Sequence, residues 1–168
     1  MYIISNNMLS KDSNNEYFLR LNREQSILEV YKKCESSKLR DEYPIRKEFD
    51  ESGYTMFELY KEMKCIFGGE GKKRTPSGLF HIYDKSKGEY KSSYYEGKDC
   101  VKFFGYLSFF EDYFIHSDLY DENITIKNYK EAEPISKEDV NTAGCIRVGQ
   151  DELDWLVENV EVGTIVEV

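Results

Sequence analysis

The 168-residue sequence predicts a mainly β fold: a sandwich or barrel carrying a C-terminal helix and one short inserted helix. Three observations predict it. Short runs rich in Tyr, Phe, Val and Ile are separated at close intervals by turn-forming residues. No βαβ rhythm runs through the chain, which argues against a parallel α/β sheet. Helical spacing of apolar residues recurs in only two places, at 55–64 and near the C-terminus.

The elements follow in order. Residues 1–15, polar and Asn/Ser-rich apart from Tyr2, Ile3 and Ile4, read as a loose lead-in. Tyr17, Leu19 and Leu21 alternate with Phe18, Arg20 and Asn22; the turn Asn22-Arg23-Glu24-Gln25 follows, and 27–31 is the return strand of a hairpin. Residues 35–54 carry no clear pattern. Thr55 with Glu58 three residues on resembles a capping box, ahead of Phe57, Tyr60 and Met63 at helical spacing, which predicts the inserted helix at 55–64. Cys65-Ile66-Phe67 reads as a buried strand stopped by Gly68-Gly69. Thr75-Pro76-Ser77-Gly78 suits a type I turn, and 79–83 continue as strand. Residues 90–95, 101–110 and 113–117 read as successive antiparallel strands. Asp151 to Asn159 form a helix, with Leu153, Leu156, Val157 and Val160 at spacings of three and four; Gly163 ends it and 164–168 alternate as the last strand.

Composition narrows the function. The chain carries 23 Lys and Arg against 32 Asp and Glu, a net charge of −9, which argues against nucleic acid as partner because phosphate recognition needs a basic face. No apolar run approaches the ~18–20 residues of a membrane span. Fourteen Tyr and ten Phe supply enough apolar area for one core, so a single globular domain is expected over 16–168. The N-terminal residues lack the basic start and apolar stretch of a signal peptide, and none is expected there. Four cysteines without CxxC spacing and only two histidines do not make a zinc site, and the cysteines are expected to be mostly free.

One constellation carries chemistry. Tyr113 to Ser117 is a strand ending at His116; Thr142-Ala143-Gly144-Cys145-Ile146-Arg147 is a polar loop that delivers Gly-Cys into an apolar alternation. A free thiol has a pKa of about 8.5 and is a poor nucleophile until a neighbouring imidazole takes its proton. Such a pair reads as thiolate–imidazolium, with the ring's other nitrogen held by a carbonyl beside Ser117. Gly144 without a Cβ lets the Gly144 and Cys145 amides face an oxyanion, and Arg147 supplies a fixed cation on the Cys145 side of the strand. The bland readings are equally physical: Cys34, Cys65 and Cys100 as small buried hydrophobes, His81 as a packing or surface residue, and Lys72-Lys73-Arg74 as a solvated turn.

These residues resemble a known family, the YkuD-like L,D-transpeptidase catalytic domain. The resemblance rests on His116-Ser117, on Thr142-Ala143-Gly144-Cys145-Ile146-Arg147, on the Thr75-Pro76-Ser77-Gly78 turn, and on the closing helix with Gly163-Thr164-Ile165-Val166. It spans about residues 17–168. Two departures stand out: Ala143 takes the place of the family's usual histidine, and residues 118–140, rich in Asp and Glu, read as an inserted loop.

The resemblance implies a YkuD-like sandwich and a peptidoglycan L,D-transpeptidase acting in the cell envelope without a cofactor. Cys145, His116, Gly144 and Arg147 would be catalytic; Ser117, Thr142, Ala143 and Arg147 would bind the stem peptide. A thioester from a tetrapeptide stem would pass to an amine as a 3→3 crosslink, or to water in an L,D-carboxypeptidase. A wall-targeting toxin and a non-catalytic wall-binding module are the alternatives. Sortase fits poorly, because its Thr-Leu-x-Thr-Cys is absent, and papain-like folds place Cys before His.

Overall fold

The computed structural model describes residues 1–34, 53–69, 71–92, 95 and 100–168. Eleven strands join in one sheet: β1 (Tyr2–Ser5), β2 (Tyr17–Asn22), β3 (Ile27–Lys33), β4 (Tyr54–Ile66), β5 (Leu79–His81), β6 (Asp84–Ser92), β7 (Val101–Phe110), β8 (Tyr113–His116), β9 (Tyr120–Asp121), β10 (Ile146–Val148) and β11 (Ile165–Glu167). The order is β5-β11-β2-β3-β4-β10-β8-β7-β6, with β1 added to β4 and β9 to β7. Every pairing is antiparallel except β10 with β8 and β11 with β2. Both halves of the sheet, together with helix α1 (Gln150–Asn159), contribute to one core: Leu19, Val30, Leu107, Ile115, Ile146, Leu153 and Leu156 are fully buried within it. The sheet is therefore folded over a central apolar core, as a sandwich, with two smaller buried clusters beside it.

The predicted hairpin, the 101–110 strand, the C-terminal helix and the last strand are all present, to within a residue or two at their ends. The strand expected at 90–95 begins six residues earlier, as β6 from Asp84, and two other expectations change. The inserted helix at 55–64 does not form; those residues lie in β4. The reason is a bulge: Val30 pairs with Lys61 and Tyr31 with Leu59, so Tyr60 is the extra residue. On either side of it Phe57 and Met63 face different clusters, Phe57 with Ile4, Phe18 and Tyr31, Met63 in the central core. A spacing of three on each side of Tyr60 thus mimics a helical period inside a strand. Thr55 caps nothing and instead donates from Oγ1 to Asn6 Oδ1 at 2.7 Å. The second change concerns the lead-in, where Tyr2–Ser5 pairs with Tyr54–Phe57 as a strand. The unpatterned stretch at 35–52 lies outside the described residues.

Helix α1 is positioned at both ends. Asp151 and Glu152 sit in its first turn, where negative charge complements the helix dipole. At the other end Lys85 Nζ donates to the Val157 and Val160 carbonyls at 2.8 and 2.6 Å, a cation on otherwise unpartnered acceptors.

Candidate active site

The site grows out of the parallel pairing of β8 with β10. Ile146 lies beside Ile115 and Arg147 beside His116. Ile115, Ile146 and Val148 enter the core, so alternation puts Phe114, His116 and Arg147 on the opposite face. Cys145, two residues before Arg147, shares that face. Cys145 and His116 line one cleft of about 870 Å³, with Phe103, Tyr113 and Phe114 among its walls and Lys73 at its edge.

His116 is tightly specified. Its ring stacks on Phe103, centroids 4.4 Å apart and planes 26° from parallel, and only 5% of the residue is exposed. Nδ1 lies 2.6 Å from the Ser117 carbonyl. A carbonyl only accepts, so Nδ1 carries the hydrogen and Nε2 is left with a lone pair. Burial, reinforced by the Arg147 charge, pushes the imidazole down to about 3, against the opposing pull of the Ser117 carbonyl.

The Cys145 thiol is half-buried. The Phe114 N–H donates to Sγ at 3.5 Å, and the S–H faces the Asp112 carbonyl at 4.0 Å. Burial raises the thiol above its ordinary value, while the Phe114 N–H and Arg147 oppose that rise. Burial thus favours the neutral form of each group, against the thiolate–imidazolium expectation, and among the described residues the two are not hydrogen-bonded to each other.

The loop before Cys145 is wound around Thr142. The Thr142 hydroxyl accepts from the Gly144 N–H at 3.1 Å and donates to the Cys145 carbonyl at 2.6 Å, while the Thr142 N–H donates to the Phe67 carbonyl at 3.2 Å. The Gly144 amide is therefore committed within the loop instead of facing a substrate oxygen. The glycine is required for another reason. Gly144 has φ +129°, and a Cβ there would overlap the Tyr113 ring. Its backbone also lies so close to Gly68 that a Cβ on Gly68 would come within 2.7 Å of the Gly144 Cα.

The remaining predicted residues divide by environment. Ser117 is fully buried with its hydroxyl on the Asp118 carbonyl, so what it gives the site is its own carbonyl. Ala143 is exposed on the cleft rim, where a side pocket of about 340 Å³ opens toward Tyr95 and Asp139. Arg147 is buried and paired: its NH1 lies 2.7 Å from Asp139 Oδ2. Cys65, Cys100 and Cys145 are free thiols, and Cys34 and Cys100 are half-buried instead of the buried hydrophobes expected. Cys65 is a core residue whose thiol burial pushes up to about 12, and exposed His81 meets the Met8 carbonyl at 3.0 Å. Among the described residues no group of three or more His, Cys, Asp or Glu could hold a metal ion.

Sequence reasoning gives no site role to Phe103, Gly68 or Asp139, and none to the Tyr113 side chain beyond opening the strand that ends at His116. The two aromatics sit within an aromatic-rich stretch with nothing to mark them, and Asp139 is one of several acids in the 118–140 segment. That segment is anchored by β9 on β7, by the Tyr129 ring stacked 4.5 Å from Phe104, and by the Leu119 N–H on Ser136 Oγ at 2.8 Å.

The model of the YkuD L,D-transpeptidase catalytic domain family matches residues 50–168. Among solved structures, the L,D-transpeptidase from Mycobacterium smegmatis superposes with a TM-score of 0.56 at 16% identity, over 91% of this chain and 58% of that one. L,D-transpeptidase 1 of Mycobacterium tuberculosis gives 0.56 at 13% identity, over 91% and 60%. A fused Zn-dependent amidase/peptidase/peptidoglycan-binding domain-containing protein from Clostridium acetobutylicum gives 0.56 at 14%, over 90% and 51%. The chain thus spans between half and three fifths of those structures, and the likeness is one of fold. No curated protein matches it.

Proposed function

Because this chain belongs to the YkuD family of L,D-transpeptidase catalytic domains, we propose that it is a cysteine acyltransferase acting on peptidoglycan stem peptides at the cell envelope. One observation carries the reading. His116, fixed by Ser117 with Nε2 unprotonated, and Cys145 line the same open cleft, whereas Cys65 is a buried residue outside that cleft.

With both groups neutral at rest, the proton moves as the bond forms. Cys145 Sγ attacks the carbonyl of the third stem residue while His116 Nε2 takes the thiol proton. The oxyanion gains the Cys145 amide as donor, the Gly144 amide being held by Thr142; one such donor is worth about 10²–10³ in rate. Collapse of the tetrahedral adduct expels the terminal D-alanine, whose nitrogen takes the proton from the imidazolium, and leaves a thioester. An amine of a second stem then attacks, His116 accepts its proton, and the sulfur leaves and recovers that proton. The product is a 3→3 crosslink; water in place of the amine gives a shortened stem. No cofactor is needed for either outcome. Arg147 and Thr142 hold the nucleophile loop in this scheme, and Ala143 with the open rim beside it contacts the stem.

Incubation with a disaccharide-tetrapeptide and mass spectrometry test the reading. The parent should release D-alanine and form crosslinked dimers, and Cys145→Ala should do neither. Release that persists in Cys145→Ala refutes the assignment. Shortened monomers without dimers mark an L,D-carboxypeptidase, the activity a wall-targeting toxin would also use. A parent that binds the stem with an unreactive Cys145 marks a wall-binding module.

A further inference from the structure

The Arg147 guanidinium is buried, and its Nε has no partner among the described residues. Among the described residues its ion pair is to Asp139, at 2.7 Å. Asp139 is itself held by two further bonds, and the tyrosine that makes one of them is anchored in turn. Its Oδ1 accepts from the Tyr95 hydroxyl at 3.1 Å, its N–H donates to the Ser136 carbonyl at 3.0 Å, and the Tyr95 hydroxyl also reaches the Ile135 carbonyl at 3.2 Å. The carboxylate thus arrives at Arg147 from the 118–140 segment, on the strand position paired with His116 and two residues beyond Cys145. A buried cation beside a nucleophile stabilises the anion, and a carboxylate on that cation weakens the effect.

We propose that Asp139 is a positioning residue that fixes Arg147 beside Cys145 and His116 and offsets its charge. The inference rests on Cys145 being the reactive thiol. The other charged groups facing this corner are Asp118 and Lys137 from the same segment, Lys64 of β4, Glu111 and Asp112 from the β7–β8 turn, Lys91 of β6 and Lys73. Asp118 also feels the Arg147 charge, but among the described residues it is Asp139 that touches the guanidinium directly.

Asp139→Asn changes charge and little else. Its amide oxygen still accepts from Arg147, and its NH₂ donates to the Tyr95 oxygen while the Tyr95 proton goes to Ile135. The readout is the pH dependence of Cys145 alkylation by iodoacetamide, followed on the Cys145 peptide by mass spectrometry, with thermal melts to show that each variant is folded. Asp139→Asn should move the midpoint down by about one pH unit. Arg147→Gln should move it up, and D139N/R147Q should return it to within about half a unit of the parent. A midpoint unmoved or raised in Asp139→Asn overturns the proposal; a lowered melting temperature alone marks a merely structural role. Should Asp139→Asn not fold, R147Q against D139N/R147Q decides, because the double variant must lie lower and equal midpoints overturn the idea. If the parent alkylates normally and only the Asp139→Asn shift is missing, this inference falls and the acyltransferase reading stands. A parent Cys145 inert across the range overturns both.

Discussion

Cys65 and Cys145 lie on neighbouring strands of one sheet, Cys65 beside Val148 and Cys145 three residues before it, yet they belong to opposite faces. Cys65 is surrounded by apolar core, and burial alone pushes its thiol up to about 12. Cys145 is also raised by burial, but the Phe114 N–H and Arg147 pull the other way, and its sulfur meets a cleft. Burial by itself makes a cysteine inert. Reactivity comes from the two or three polar groups set against that burial, and the alternation of β8 and β10 decides which face receives them.

The sharpest way to break this contrast is to remove each sulfur in turn. Cys145→Ala should lower stem-peptide turnover by roughly 10³-fold or more and barely move the melting temperature. Cys65→Ala should keep turnover and cost about 1–2 kcal/mol of stability in denaturant unfolding. A reversal of the two outcomes would mean that the faces had been misassigned. Next, His116→Gln should cost about 10²–10⁴ in turnover, since a glutamine carries no acceptor nitrogen able to take the thiol proton. Gly144→Ala should follow. At φ +129° its methyl would overlap the Tyr113 ring, and a loss of roughly 2–3 kcal/mol together with reduced turnover is expected from melts and assays run side by side.

Acid tests the same contrast through the imidazole. The unfolded chain protonates His116 near pH 6.5 but the folded protein only near 3, so between those values the unfolded state holds the extra proton. The contribution of the neutral imidazole is therefore complete above pH 6.5 and is lost as pH falls toward 3, at up to about 1.4 kcal/mol per unit. Melting temperatures of the parent and of His116→Gln should diverge most above pH 6.5 and converge on acidification. The neutral pair also predicts no inflection near pH 6.5 in Cys145 alkylation; such an inflection would restore the thiolate–imidazolium picture.

Much of this was legible in the sequence because alternation and turn chemistry are local. The 17–31 hairpin and the Leu153-Leu156-Val157 helix face both rest on short-range patterns. What stayed hidden was non-local. The bulge at Tyr60 depends on β3 lying alongside and turned a strand into an apparent helix. The pairing of Asp139 with Arg147 depends on where a folded loop ends, and its composition marks seven acids without distinguishing one. The commitment of the Gly144 amide to Thr142 was equally invisible, because a side-chain hydroxyl competing for a backbone donor leaves no pattern along the chain.

The parallel β8–β10 ladder has a further consequence. Parallel neighbours must be joined by a long crossover, and here the ladder itself, from Ile115–Ile146 to His116–Arg147, sets the spacing of base and nucleophile. The part of the span before Ser136 can therefore lengthen or shorten while His116 and Arg147 stay side by side, at about 0.6 kcal/mol for each doubling of a flexible loop. A protein engineer can rebuild that arch so long as Asp139 still reaches Arg147.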